Sequence, residues 1–544
     1  MLKKLKIYII GAFLISMLFV PSCDLEEHIL DEITDEVVQA DPNLLPNLLA
    51  VPLAHVRKYW GRERIWGLME ATSDEAFFPT RGNDWFDGGV WQEDYTHAWS
   101  PTHRDVRATW NDLNSSIAAA NTAIRSLGEE TPSDADFLWT YRAQAKFLRS
   151  FFEYYLYDLY RKYPSRDPFN LDFSIAPKIY EGEEGFYHLV SSVKSIIPAM
   201  KDRYYEASGE SDKYLQADYG EPDKDAGRML LAKLYLNKEV YTGVPGYDSC
   251  LIYLDQIIDK GTYGLAEDFF AMFDVDNNTR FKQADDEAIF VSVYSDAESY
   301  GNINNITWIR HSFHYNQTFN DQYTANWNGV CVPESYLQYN WIAGTDTALD
   351  SRWVDSSYYH YWAVNVGFVY GQQYDMNGDS LFDRNGNPLF YTFECNYDDA
   401  EEYEGVRVLK YPPREIVTYQ DRIENDFLIW RYADALLMKA ECELRANADV
   451  GTAETIVNEI REKRDAPTIT AGGYEDMLDK VYIERGLELY WEGHRRQDQI
   501  RFGTFLLPKT SKDWTSPETA LILPIPQSAI DGTPGGVLTQ NPGY

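Results

Sequence analysis

The chain has 544 residues and a formal charge of −37, from 86 acidic and 49 basic side chains. Such a surface repels a phosphate backbone, which argues against a nucleic-acid partner. Its five cysteines include no CxxC pair, which sets aside a zinc framework and a disulfide-dense scaffold.

The first residues carry a clear physical signal. Lys3, Lys4 and Lys6 precede an apolar run over residues 7–20. That run falls short of the about 20 residues a membrane span needs, but it suits the apolar core of a signal peptide. Val20-Pro21-Ser22-Cys23 then reads as a lipobox, with a small residue just before the cysteine. Residues 1–22 are therefore expected to be a lipoprotein signal peptide, with Cys23 taking the lipid. Two or more acyl chains anchor stably, whereas one holds only marginally. Cleavage removes three lysines and no acid, so the mature charge becomes −40. No later run is apolar for long enough to span a bilayer. Residues 23–45, polar and acidic, are read as a lipid-anchored tether.

Strong helical periodicity starts near residue 104. Ala145, Leu148, Phe152, Tyr155 and Leu159 recur at steps of three and four, and Pro164 stops that helix. Further helices are expected at about 186–206, 225–240 and 248–260. Small residues at Ala118–Ala120, Ala143 and Ala145 suit close contacts in tetratricopeptide-like hairpins, although no clean repeat of about 34 residues is visible. Residues 265–420 change character, being rich in Asn, Asp, Gly, Tyr and Trp. Ala288–Tyr294 and Val406–Leu409 are β-prone runs within it. Helical spacing returns at Trp430, Ala433, Leu437, Ala440 and Leu444, and again at Ile483, Leu487, Tyr490 and His494. The tail from Leu521 has no period. The fold class is mostly α: a tetratricopeptide-like scaffold over 46–264 and 421–544, with a loop-rich, ligand-side insertion over 265–420 and a few short strands. Loops on a rigid scaffold commonly carry binding function.

Several segments resemble one known family. Arg431-Tyr-Ala-Asp-Ala-Leu-Leu-Met-Lys-Ala-Glu441 is similar to a helix motif of SusD/RagB-like proteins. So are Glu484 through Asp498, Arg501-Phe-Gly503, Leu523–Gln527 and Leu538–Tyr544. Thr80–Gly89 and Trp110–Leu113 add N-terminal matches, in the family's order. The resemblance implies an outer-membrane nutrient-binding lipoprotein on the surface of a Bacteroidetes-type bacterium. It also implies a SusC-like TonB-dependent transporter as partner, with this chain as its lid. Asp24, Glu26 and Glu27 resemble the acidic tract that accompanies surface export. Glu484, Arg485, Glu492, His494, Arg495 and Asp498 are expected to pair along neighbouring turns. His494 is read as structural rather than as an acid or base.

Sugar recognition needs an aromatic face for the C–H side of a ring and polar groups for its hydroxyls. Segment 74–99 offers both: Asp74, Glu75, Arg81, Asn83, Asp84, Trp85, Trp91 and Trp99. In the resembled family a loop after the first helical region contributes to the ligand site. This points to Trp85 with Asp84, then to Arg81 and Asp74, as glycan-binding residues. Residues 265–420 add Trp308, His311, Tyr315, Tyr323, Trp327 and Trp341. Trp327 is favoured among them because Asn326 and Asn328 flank it.

Asp375, Asn377, Asp379 and Asp383 are weak candidates for a structural calcium. Their spacing fits two successive turns better, and no other cofactor is expected. Cys442 reads as a small core residue, and a Cys331–Cys395 bridge stays open. No GxSxG, HExxH, P-loop or GxGxxG motif is present, so no catalytic residue is assigned. The expected function is capture of oligosaccharides for the transporter. A peptide receptor or a structural lid is the alternative, and a glycoside hydrolase is less favoured.

Overall fold

The computed structural model describes residues 35–41, 43–131, 136–172, 174–203, 216–217, 219–280, 286–294, 312–318, 326–356, 363–412 and 425–544. The signal peptide, Cys23 and the ligand candidates Trp308, His311 and Tyr323 lie outside them. Helices precede the strongly periodic region. Asp35–Ala40 is a helix, α1, and Gln39 Nε2 donates to Ser126 O at 2.7 Å. The expected tether therefore touches the body before residue 45. Pro46–Val56 forms α2, ahead of the strong periodicity near residue 104.

The scaffold grows by stacking each helix on the last. Arg104–Ser126 (α3) packs on Asp136–Tyr160 (α4), then come Gly182–Ile196 (α5), Lys224–Leu236 (α6) and Tyr247–Ile258 (α7), each against its predecessor. The next helix in space, Tyr432–Asn447 (α8), lies far along the chain and packs on α7. Val450–Lys463 (α9) and Tyr474–Leu489 (α10) then pack on α8. The array is one stack, entered twice by the chain. Asp223 caps α6 by accepting the Ala226 N–H at 2.8 Å, and Asp449 caps α9 through Thr452 N–H at 2.9 Å, each worth about 1 kcal/mol.

Four sequence expectations are corrected. The helix placed at 186–206 ends at Ile196, before the 3-10 turn that contains Pro198. The one placed at 225–240 breaks at Asn237, which leaves helical geometry. Trp430 belongs to a strand, not to the helix that follows. Tyr490 and His494 lie beyond the end of α10. Periodicity alone could not see these limits, because the flanking apolar residues happen to continue the pattern.

The insertion is sealed at its neck. Ala288–Ser292 (β1) pairs antiparallel with Phe427–Arg431 at Phe427↔Ser292 and Arg431↔Ala288. Within the insertion, Val366–Val369 (β3) lies between Val354–Asp355 (β2) and Arg407–Leu409 (β6). Gly371–Gln372 (β4) pairs with Phe390–Tyr391 (β5), and Phe427–Arg431 is β7.

Beneath the neck lies a lattice of buried charge. Arg431 reaches Glu287 at 2.9 Å, Glu488 at 2.7 Å and Glu492 at 2.8 Å. Arg352 reaches Glu484 at 2.6 Å and Glu488 at 2.9 Å. Arg464 reaches Glu287 at 2.6 Å and Glu488 at 2.8 Å. Lys410 bonds Glu492 at 2.6 Å. The expectation of pairing along neighbouring turns holds for Asp498–Arg501, but most partners are distant in sequence. Arg485 bridges Asp434 and Asp498, and Arg495 grips Asp74. Arg485 and Arg501 outweigh the burial that would raise Asp498, and hold it at about 2. His494 is buried, and burial with the nearby Lys233 pushes it down to about 3. A neutral, enclosed imidazole fits the structural reading.

Glu70 and Glu75 form a second buried feature. Glu70 accepts the Gly493 N–H, and Glu75 accepts the Trp491 N–H at 3.1 Å. Burial drives Glu70 up to about 7, against a hydrogen bond from Glu75, while burial and Glu70 together raise Glu75 further. Between pH 4.5 and 7 the folded chain therefore keeps a proton on Glu70 that the unfolded chain has released. The sign follows: stability falls as pH rises through that window. Glu75→Gln removes the second raised carboxyl, whose own retained proton adds to the same fall, so the drop in melting temperature from pH 5 to pH 8 should shrink. An unchanged drop, measured by scanning calorimetry, would refute the raised Glu75.

Candidate functional site

The turn that follows Phe78 places the first aromatic residues. Arg81 and Asp84 exchange backbone hydrogen bonds at 3.0 Å each, with Gly82 at φ +60° between them. Trp85 follows at φ +64°, a region bulky side chains avoid at a cost of order 1–3 kcal/mol. This conformation turns its ring inward. Phe78 lies 5.3 Å and Trp91 5.9 Å from it, centroid to centroid. Its Nε1–H donates to Trp327 O at 2.8 Å, and only 8% of Trp85 is exposed.

Trp327 sits above it and is 39% exposed. Its ring centroid is 6.3 Å from that of Trp85, and the Arg62 guanidinium is 5.4 Å from its centroid. Asn328 holds the next backbone position at φ +51°. Its amide is fully used: Nδ2 donates to Glu402 O at 2.9 Å and Oδ1 accepts from Arg407 at 2.7 Å. The exposed indole is thus fixed from below and from behind. Phe86, beside Trp85, is also exposed.

Polar groups of the insertion meet the turn at Asp84, next to Trp85 in the chain. The Tyr315 hydroxyl donates to Asp84 Oδ2. Arg384 reaches the same oxygen at 3.4 Å, and its guanidinium lies 4.2 Å from the Tyr315 ring centroid. Glu402 accepts from Arg384 and is 2.8 Å from His314 Nε2. Burial would raise Glu402, but Arg384 and His314 prevail and hold it below its usual value. Burial lowers His314 despite Glu402. This junction therefore offers an acceptor at Asp84, donors at Arg384 and a hydroxyl at Tyr315. Glu402 stays ionised, whereas a glycosidase acid must hold its proton.

Two expected ligand residues are corrected. Asp74 gives both carboxylate oxygens to Arg495, at 2.7 and 3.0 Å. Arg81 is buried and donates to the carbonyls of Glu401 and Glu404. Both are tied inside the protein. Trp85 becomes the support of the platform rather than its surface. Trp91, Trp99, Trp341 and Glu75 are buried, and Asn83 is exposed.

Asp375 Oδ1 accepts the N–H groups of Asn377 at 2.8 Å and Asp379 at 2.9 Å. Asp383 does the same for Asn385 at 2.9 Å and Asn387 at 2.7 Å. These are Asx turns. Among the described residues no three His, Cys, Asp or Glu side chains gather as a metal would need. Cys331 and Cys395 are free thiols with sulfurs 3.9 Å apart, and Cys442 is a core residue.

A model of the SusD family matches residues 286–517. Over that segment the chain is SusD-like. The starch-binding protein SusD of Bacteroides thetaiotaomicron is 24% identical over 498 residues, covering 84% of this chain and 82% of that protein. A solved SusD homolog from the same organism superposes with a TM-score of 0.69 at 18% identity, covering 94% of this chain and 98% of that one. Surface glycan-binding protein A from B. thetaiotaomicron, solved with laminarihexaose, gives 0.63 at 18% identity, over 92% and 99%. These structural likenesses show the SusD fold.

The segment matched to the SusD family contains Tyr315, Trp327 and Arg384, whereas Arg62, Asp84, Trp85 and Phe86 come from before it. Sequence reasoning missed Arg62, Phe86 and Arg384. Arg384 was hidden in a stretch read as a turn or calcium loop, and Phe86 had only its neighbour Trp85 to recommend it. Arg62 had no local signal, because its role comes from three rings distant in sequence.

Proposed function

We propose that this SusD-like chain is a cell-surface glycan-binding lipoprotein that captures oligosaccharides and passes them to a SusC-like TonB-dependent transporter. The observation that carries the reading is Trp327: an exposed indole backed by Trp85, whose chain neighbour Asp84 bonds Tyr315 and Arg384. An aromatic face with flanking donors and acceptors suits the two sides of a sugar ring. The starch-binding and laminarihexaose-bound relatives support the ligand class. In this reading the site binds without cleaving, Cys23 anchors the chain in the outer membrane, and the folded part faces the cell exterior.

Trp327→Ala should weaken binding of the best ligand in a neutral glycan panel by ~1–3 kcal/mol, about the contribution of one buried aromatic contact. The melting temperature should hold, because the indole is partly exposed. Calorimetric titration showing full affinity in this variant would sink the reading. For the anchor, Cys23→Ala should move the protein from the membrane fraction to the soluble one. Copurification of a TonB-dependent transporter with the wild-type chain tests the partner.

A further inference from the structure

Within the insertion lies an eight-residue repeat that the Trp327 site uses only in part. Gln373-Tyr-Asp-Met-Asn-Gly-Asp-Ser380 is followed by Leu381-Phe-Asp-Arg-Asn-Gly-Asn-Pro388, then by Leu389-Phe390. The first positions close a backbone triangle. Gln373 N–H donates to Leu389 O at 2.9 Å, Leu381 N–H to Gln373 O at 2.9 Å and Leu389 N–H to Leu381 O at 2.8 Å. The second positions, Tyr374, Phe382 and Phe390, are 36%, 49% and 51% exposed. The second repeat abuts the Trp327 site, where Asn316 Nδ2 donates to Phe382 O at 2.7 Å and Arg384 covers Tyr315. The first repeat borders something else.

Tyr374 lines a cavity of about 590 Å³ together with Trp353, Tyr370, Gln372, Asn365 and Thr347. The Trp353 and Tyr370 rings stand 5.7 Å apart at 43°. Among the described residues no Asp, Glu, Lys or Arg lines the cavity, although such residues make up 25% of the chain. Gln372 commits its Nε2 to the carbonyls of Gln373 and Leu381, which leaves its oxygen to accept. Among the described residues nothing bonds to the side chains of Asn365 or Thr347. The lining thus combines aromatic walls with neutral groups that both donate and accept. A charged ligand would find no counter-charge there, and a purely apolar one would strand the amides.

We propose that this cleft is a second binding site, separate from the Trp327 face, for a neutral saccharide of a few units. Its volume falls within the range of roughly 300–1,000 Å³ usual for small-ligand sites. The ligand class rests on the cleft's own lining and does not depend on what Trp327 holds. The repeat would then serve two sites from one frame, offering Tyr374 to the cleft and Phe382 with Arg384 to the aromatic face.

The test is calorimetric titration of the folded chain with a panel of neutral hexasaccharides that includes laminarihexaose and maltohexaose. Wild type should show two sites across the panel. Trp327→Ala should keep one, and adding Tyr370→Ala or Tyr374→Ala should weaken that remaining site at least tenfold. Tyr370→Phe, which keeps the ring, should weaken it less and guards against loss of fold. If Trp327→Ala abolishes all binding, the cleft proposal is overturned while the Trp327 reading stands. If only the cleft variants lose binding, the Trp327 reading falls and the cleft stands. No binding by wild type to any panel member overturns both.

Discussion

Arg431→Met should destabilise the fold by about 3–5 kcal/mol, the usual loss when one partner of a buried ion cluster is removed. The reason is geometric. Arg431 contacts Glu287, Glu488 and Glu492 at once, and all four side chains are fully buried. Methionine fills much of the same volume but leaves three carboxylates facing one another. Arg464 and Lys410 remain and offset part of the repulsion. Glu287 also accepts the Ala433 N–H at the start of α8, so strand, helix and insertion should loosen together. Urea denaturation at pH 7 is the measurement. A loss under about 1 kcal/mol would mean the acids take up protons at little cost, and the lattice would not be what holds strand, helix and insertion together.

Trp85→Ala is the second large effect, at about 3–5 kcal/mol, as for other buried aromatic truncations. Here the structure reverses the sequence-based expectation. Read as a surface ligand contact, Trp85 should have affected binding while sparing stability. Buried against Phe78 and Trp91, and bonded to Trp327 O, it should affect both. Trp85→Phe keeps a ring but loses the Nε1–H, so it should recover most of the stability and part of the affinity. Trp85→Ala with wild-type melting and weakened binding would restore the simpler expectation.

The helical body was legible because burial leaves a period. Leu148, Phe152, Tyr155 and Leu159 recur at helical spacing and all four are buried, although α4 is enclosed on every side from Ser150 to Tyr160. The motifs from Glu484 to Arg501 were legible as fixed charges, but not their partners. Arg352 and Glu287 join the lattice from the insertion and the neck, and no spacing connects residues more than a hundred positions apart. The site was half legible for the same reason. Trp327 and Asp84 stood out by residue type. Which tryptophan faces outward was decided by backbone at positive φ, at Trp85 and Asn328, and residue type says little about that. Asp74 misled because an acid in an aromatic-rich segment looks the same whether it meets a sugar or Arg495.

The paired strands β1 and β7 have a practical consequence. They set the start and finish of the intervening chain side by side, so that stretch could be grafted between relatives as a cassette without altering the helical stack. The graft has two conditions. Arg352 and Lys410 lie inside the cassette, and their partners Glu484, Glu488 and Glu492 lie outside it. A donor segment lacking cations there would leave buried acids unpaired, so ligand preference could be exchanged only together with those two residues.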